Sequence, residues 1–241
     1  MRIFYFSWKR LGIIVGLVFV LGISSFLAAS DGGGEMAASG SGAIYQGSTG
    51  SKAVAVTVNV DWGGEYIPAM LEALQKSNAR ATFFVTGSWA ENNPELMKTI
   101  AAADHSIQNH GYKHVHFNSL KAAQVQEQIK QAEDVIFAAT GKKSQFFAPP
   151  YGEKNPSLVA AVNAAGYQYI MWSVDTIDWQ KPAPQVIVER VMKKVHNDAI
   201  ILMHPTEPTV KALPEILAGL NQQGYKMMTI EELLASPEQQ P

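Results

Sequence analysis

From Ala53 onward, short β-branched or aromatic runs alternate seven times with helix-periodic stretches, and this alternation constrains the fold more than any other feature of the chain. The expected strands are residues 53–60, 81–85, 105–108, 145–147, 167–172, 199–203 and 225–229. The first of them, AVAVTVNV, carries no charge, as a strand buried on both faces should. Between them, Pro68 opens a stretch with Met70, Leu71 and Leu74 on one face, and further helices are expected over 94–103, 121–139, 155–165, 184–195, 213–222 and 230–235. Strict alternation of this kind gives an α/β fold with a parallel sheet covered by helices, either a closed barrel or an open doubly wound sheet. In both, a functional site belongs at the C-terminal ends of the strands.

Everything before that alternation reads differently. Residues 11–29, LGIIVGLVFVLGISSFLAA, contain no charge and follow Arg2, Lys9 and Arg10. At about 1.5 Å per residue they span roughly 28 Å, the thickness of a bilayer core. Basic residues on the N-terminal side put that end in the cytoplasm and the body outside. The segment is therefore an uncleaved anchor in the cell membrane or a signal peptide cut near Ala28-Ala29-Ser30. Its length favours the anchor, because signal-peptide cores run to about 7–15 residues. We divide the chain into an N-terminal segment 1–30, a Gly/Ser-rich linker 31–52 and a domain 53–241. Without the three basic residues at the start, 16 basic side chains face 21 acidic ones, a net −5. That balance argues against a nucleic-acid partner. No G-x-G-x-x-G or P-loop pattern supports a nucleotide, and no cysteine is present to make a disulfide or a thiolate site.

The strand ends collect the chemistry. They carry Asn59-Val60-Asp61-Trp62-Gly63, Asn109-His110-Gly111-Tyr112-Lys113-His114-Val115-His116, Phe147-Ala148-Pro149-Pro150-Tyr151-Gly152, Asp175-Thr176-Ile177-Asp178-Trp179 and Leu202-Met203-His204. His110 and His114, four apart, would face the same way on one helical turn and could chelate one cation. Two histidines with Asp61 leave positions open for water and substrate, a set that suits catalytic zinc and also non-haem iron. An HxxxH pair alone is more often a polar surface turn; Asp61, Asp178 and His204 at the same rim reverse that weighting. Asp178 and His204 make a carboxylate–imidazole pair able to deliver a proton to a leaving amine. His116 and His196 read as solvated loop residues and His105 as structural. Trp62, Tyr151, Trp172 and Trp179 either fill the core or wall a pocket.

Taken in order, these clusters resemble the polysaccharide deacetylase family, the NodB homology domain of carbohydrate esterase family 4. The likeness runs from Val54 to Leu234 and is closest to the family's sporulation-associated, membrane-tethered group. It implies a distorted (β/α)7 barrel holding one divalent metal, zinc first, that removes N-acetyl groups from an amino-sugar polymer such as peptidoglycan. By motif, Asp61, His110 and His114 would be the metal ligands and His204 the general acid tuned by Asp178. Trp179 and Leu202 would line the acetyl pocket, and Pro149 and Tyr151 the turn whose backbone N–H faces the oxyanion.

Two positions depart from the family pattern. Asn59 stands where the base aspartate is expected, and an amide cannot take a proton near neutral pH. Ala148 stands where an arginine would clamp that aspartate, so the two changes read as linked. Three readings follow: a weak metal-dependent deacetylase, a non-catalytic glycan-binding relative, or a rewired enzyme in which Asp61 is the base.

Overall fold

The computed structural model describes residues 42–235; the expected membrane segment 11–29 and the tail from residue 236 lie outside the described residues. Among the described residues, no helix is long and apolar enough to cross a membrane. The chain runs β1 (Ala53–Val60), α1 (Ile67–Lys76), β2 (Thr82–Val85), α2 (Gly87–Asn92), α3 (Pro94–Ala102), β3 (Ser106–Asn109), α4 (Ala122–Thr140), β4 (Phe146–Phe147), α5 (Pro156–Ala164), β5 (Gln168–Tyr169), β6 (Val174–Asp175), α6 (Pro184–Lys194), β7 (Ala199–Met203), α7 (Glu207–Gln222), β8 (Lys226–Met228) and α8 (Ile230–Leu234). All strand pairs are parallel, in the order β5-β4-β3-β2-β1-β7-β6, with β8 also on β1. This α/β arrangement fits a distorted barrel of the expected kind.

β1 is the hub. Its lower half pairs with β8 and its upper half with β2 on one side, and β7 runs along the other. Val54, Val56, Val58 and Val60 face the helices, meeting Ile67 and Leu74 of α1, Ile187 and Val191 of α6, and Leu213 and Leu217 of α7. Ala53 and Ala55 face the interior, with Phe84, Phe146, Ala148, Ile170 and Ile200. Ile230 and Leu233 of α8 join this inner cluster beside Ala53, closing the end where the strands begin. The end where they finish is left for a site.

Eight strands form among the described residues, where seven were expected. The strand expected over 167–172 forms only as β5, on β4, while β6 begins beyond that range, lies on β7 at the opposite end of the strand order and is an addition. Residues between them cross the seam: the Met171 N–H goes to the Ile44 carbonyl and the Ser173 N–H to that of Ile200. A second addition is α2, whose GSWAEN sequence has little helical periodicity; the Thr86 hydroxyl caps it by accepting from the Trp89 N–H.

The linker expected over 31–52 needs correction at its C-terminal end. Ile44 bridges to Ile170 and Gln46 to Ala199, so this stretch fills the seam rather than hanging free. Asp198, buried, holds it: its carboxylate accepts from the Thr49 hydroxyl (2.5 Å) and the Gly50 N–H (2.6 Å), and its carbonyl from the Gly47 N–H (2.8 Å). Composition suggested a tether, but these backbone bonds need no particular side chains. A chain starting at Ala53 would leave a buried carboxylate short of two donors. We expect it to be roughly 2–4 kcal/mol less stable than one starting at Gly42. The melting temperature should fall by roughly 5–15 °C. Matched thermal melts check this, and equal midpoints would mean that the strap contributes nothing.

Candidate active site at the C-terminal ends of the strands

Strand register sets the height of each candidate residue. Asn59 pairs with Phe84, Phe84 with Gln108, and Asn109 with Phe147. Asn59 therefore shares a row with Phe84, Gln108 and Phe146. Asp61, two residues further on, is level with Thr86, His110 and Ala148. The Thr86 hydroxyl donates to Asp61 Oδ1 at 2.7 Å, as this alignment requires. Asn59 lies below that level, 7% exposed, and its Oδ1 is buried without a hydrogen-bond partner. The ladder sets Ala148 level with Asp61, one layer above Asn59.

His110 follows β3 and is buried, its Nδ1 2.7 Å from the Ala148 carbonyl. A carbonyl only accepts, so Nδ1 carries the proton and Nε2 keeps its lone pair. Burial pushes the His110 imidazole down to about 3; His114 and His204 push the same way and the Ala148 bond opposes. Burial also lowers His114, opposed by Asp61 and assisted by His204. Both rings are neutral near pH 7, the form that ligates a metal.

Their approach, 5.3 Å between ring centroids at 59°, is not the helical turn that the spacing suggested. Residues 110–114 are a loop, turned at Gly111 with φ 80°, where a Cβ would stand 2.5 Å from the Phe117 ring. Asn109 fixes the loop, accepting from the Gly111 N–H (2.8 Å) and donating to the Ile129 carbonyl (2.9 Å).

Asp178 is fully buried and saturated with donors. It accepts from the His204 ring Nδ1 (2.8 Å), the His204 backbone N–H (2.7 Å) and the Thr209 hydroxyl (2.6 Å). His204 is thereby held in one tautomer with Nε2 free. The turn bearing Asp178 is strained, since Ile177, a β-branched residue, sits at φ 52° and Lys181 at φ 54°. Arg190 of α6 steadies it by donating to the Thr176 carbonyl (2.9 Å). Sequence reading missed Thr86, Thr209 and Arg190; the Thr206-x-x-Thr209 spacing at the start of α7 was the one available signal.

Around the mouth, Trp62, Tyr151 and Trp179 are exposed, whereas Pro149 and Leu202 are buried. Trp62 lies parallel to His204, with centroids 6.4 Å apart. Gly63, at φ 75°, permits this: a Cβ there would stand 2.2 Å from the Pro205 carbonyl oxygen. His105 is structural as expected, its Nδ1 accepting from the Ala81 N–H (3.2 Å). A groove of about 1280 Å³ at the opposite pole, lined by Arg80, His105, Tyr225 and Met227 among others, lies away from this chemistry.

In donor chemistry, the two neutral imidazoles and the nearby carboxylate suit a divalent metal. Among the described residues, however, no three His, Asp or Glu side chains stand together as a group that could hold an ion. The expected three-ligand set is therefore not assembled; Asp61 has one oxygen engaged by Thr86.

Residues 46–170 match the polysaccharide deacetylase family model, and the chain belongs to that family. It is 41% identical over 191 residues to the YlxY protein of Bacillus subtilis, covering 79% of this chain and 60% of that one, so it spans less than two thirds of that relative's length. It is 32% identical to a Bacillus cereus peptidoglycan-N-acetylglucosamine deacetylase, over 76% of this chain and 88% of that one. Its fold is similar to the crystal structure of a family 4 carbohydrate esterase pseudoenzyme from Bacillus anthracis, with a TM-score of 0.78 and 41% identity over 80% of this chain and 69% of that one. A mutant of that protein, described as having restored enzymatic activity, is equally similar, with a TM-score of 0.78 and 40% identity over 80% of this chain and 71% of that one.

Proposed function

We propose that the domain acts on an N-acetylated amino-sugar polymer, peptidoglycan in the first place, as a slow hydrolase of its acetamide bonds. The Asp178–His204–Thr209 network, built on a buried carboxylate at the same mouth as two neutral imidazoles, carries this reading. Asp178 holds His204 with its proton on Nδ1, so that Nε2 can take up a proton and, as the imidazolium, pass it to the departing sugar amine. Trp179 and Leu202 would flank the acetyl group, and the turn from Pro149 to Tyr151 would offer a backbone N–H to its oxygen. His110 and His114 would hold a divalent metal, zinc first, which when bound would polarise the acetyl carbonyl and activate a water. Segment 11–29 would keep the domain at the outer face of the cell membrane or direct its export.

The register favours one rewiring of this scheme. Asp61, level with His110 and Ala148, is the carboxylate at the height of the chemistry, and Asn59 is one layer below. Asp61 is then the group that takes a proton from water, and Asn59 is a buried polar residue rather than a lost base. Asp61→Asn should cut acetate release from N-acetylglucosamine oligomers at least about 10²-fold. Zinc retention should fall less in that variant than in His110→Ala. Complete loss of zinc from Asp61→Asn would return Asp61 to the ligand set, and a gain of activity in Asn59→Asp would return position 59 to the base role. Glycan binding without acetate release in any variant would support the non-catalytic reading.

A further inference from the structure

We propose that His116, two residues beyond the HxxxH pair in the loop after β3, is a positioning residue that clamps the Tyr151 turn. The inference rests on the glycan-hydrolase reading only for its second half, the effect on sugar binding.

Tyr151 needs holding. Its backbone is left-handed, at φ 59° and ψ 7°, a conformation that a bulky residue keeps only when its surroundings impose it. Its side chain is 57% exposed, so burial does not fix it. Instead the ring is gripped by two histidines. His114 meets it edge-on at 4.4 Å and 69°, and His116 lies flat against it at 4.1 Å and 16°. Each contact is an aromatic geometry that contributes beyond simple area.

His116 is itself tied down, which an ordinary solvated loop histidine is not. Its Nδ1 is 2.7 Å from Glu153 Oε1. The other oxygen of Glu153 accepts from the Asn118 N–H (2.8 Å), and its carbonyl accepts from the Tyr169 hydroxyl (2.5 Å). Glu153 thus ties the loop after β3 to the turn after β4, and His116 relays that fixation to the Tyr151 ring. Gly152 completes the fit, since a Cβ there would stand 2.6 Å from Trp172. The clamp sets two things at the mouth: the direction of the Tyr151 N–H and the ring wall beside His114.

The test uses the whole chain with 3-fluorotyrosine incorporated, the Tyr151 resonance being assigned by its loss in Tyr151→Phe. In the wild type, that resonance should sit away from the free-tyrosine position, shifted by the stacked imidazole, and respond saturably to N-acetylglucosamine tetrasaccharide. His116→Ala should move it toward free tyrosine and weaken tetrasaccharide binding about fivefold. His116→Phe, which keeps the stack but loses the bond to Glu153, should restore both in part. A resonance that does not move in His116→Ala would overturn the clamp. A resonance that moves while sugar affinity stays the same would overturn the positioning role. Absence of any saturable response in the wild type would count against the glycan reading, while the first arm would still decide the clamp.

Discussion

Acidifying the metal-free protein from pH 7 to pH 4 is expected to remove about 3 kcal/mol of folding stability through His110 alone. The buried ring stays neutral in the folded state down to about 3, whereas the unfolded chain titrates at the ordinary 6.5. Between those values the unfolded state binds the additional proton. The contribution is therefore complete above pH 6.5 and is lost progressively as the pH falls toward 3. His114 and His105, also lowered by burial, act in the same direction. Against a typical total of about 5–15 kcal/mol, such a loss brings the domain close to unfolding. Urea melts at pH 7 and pH 4, on wild type and His110→Gln in chelator, measure it. The variant should have a clearly shallower pH dependence, and parallel slopes would refute the assignment. A bound divalent metal should shift the acid transition to lower pH, because protons and metal compete for the same lone pairs.

Asp178→Asn should reduce acetate release by about 10²–10⁴-fold with little change of volume. The carboxylate presents two acceptor oxygens to three donors. An amide has one acceptor, and its NH2 group would face either the His204 ring or the Thr209 hydroxyl and the His204 N–H. The imidazole would then turn over or change tautomer, and Nε2 would no longer deliver a proton. Because Asp178 and Thr209 are wholly buried, a stability loss of about 1–3 kcal/mol should accompany the change. Measuring acetate release together with the ¹⁵N shifts of the His204 ring separates the two effects. An unaltered tautomer with unaltered activity would remove Asp178 and His204 from the proposed chemistry. Thr209→Val should be milder, since it withdraws one donor and leaves the tautomer in place.

How far the sequence could be read differs from element to element. β1, β2, β7 and the long α4 were legible within a residue or two, because buried parallel strands need uninterrupted β-branched or aromatic runs and a long helix shows its period. Two-residue strands have no period to read, so β5 was drawn too long and β6 was missed. The site residues were legible as types at strand ends, and Asp178 with His204 met as expected. Thr86, Thr209, Arg190 and His116 were not legible, because each acts through a partner distant in sequence. Their neighbourhoods offer a capping threonine or a loop histidine, and nothing local says which carboxylate or ring it will meet.

The amino-acid order by itself determined the α/β alternation, the end of the sheet that carries the chemistry and the residues gathered there, since hydrophobic period and turn residues are local properties. Tertiary structure alone decided that residues 44–46 fill the seam, that HxxxH is a loop pinned by Asn109, and that Asp61 rather than Asn59 stands level with His110. Those outcomes depend on which strands pair and in what register. A shift of two residues keeps the inward face of a strand yet moves a side chain up or down by roughly 7 Å, enough to take it into or out of reach of a reacting group.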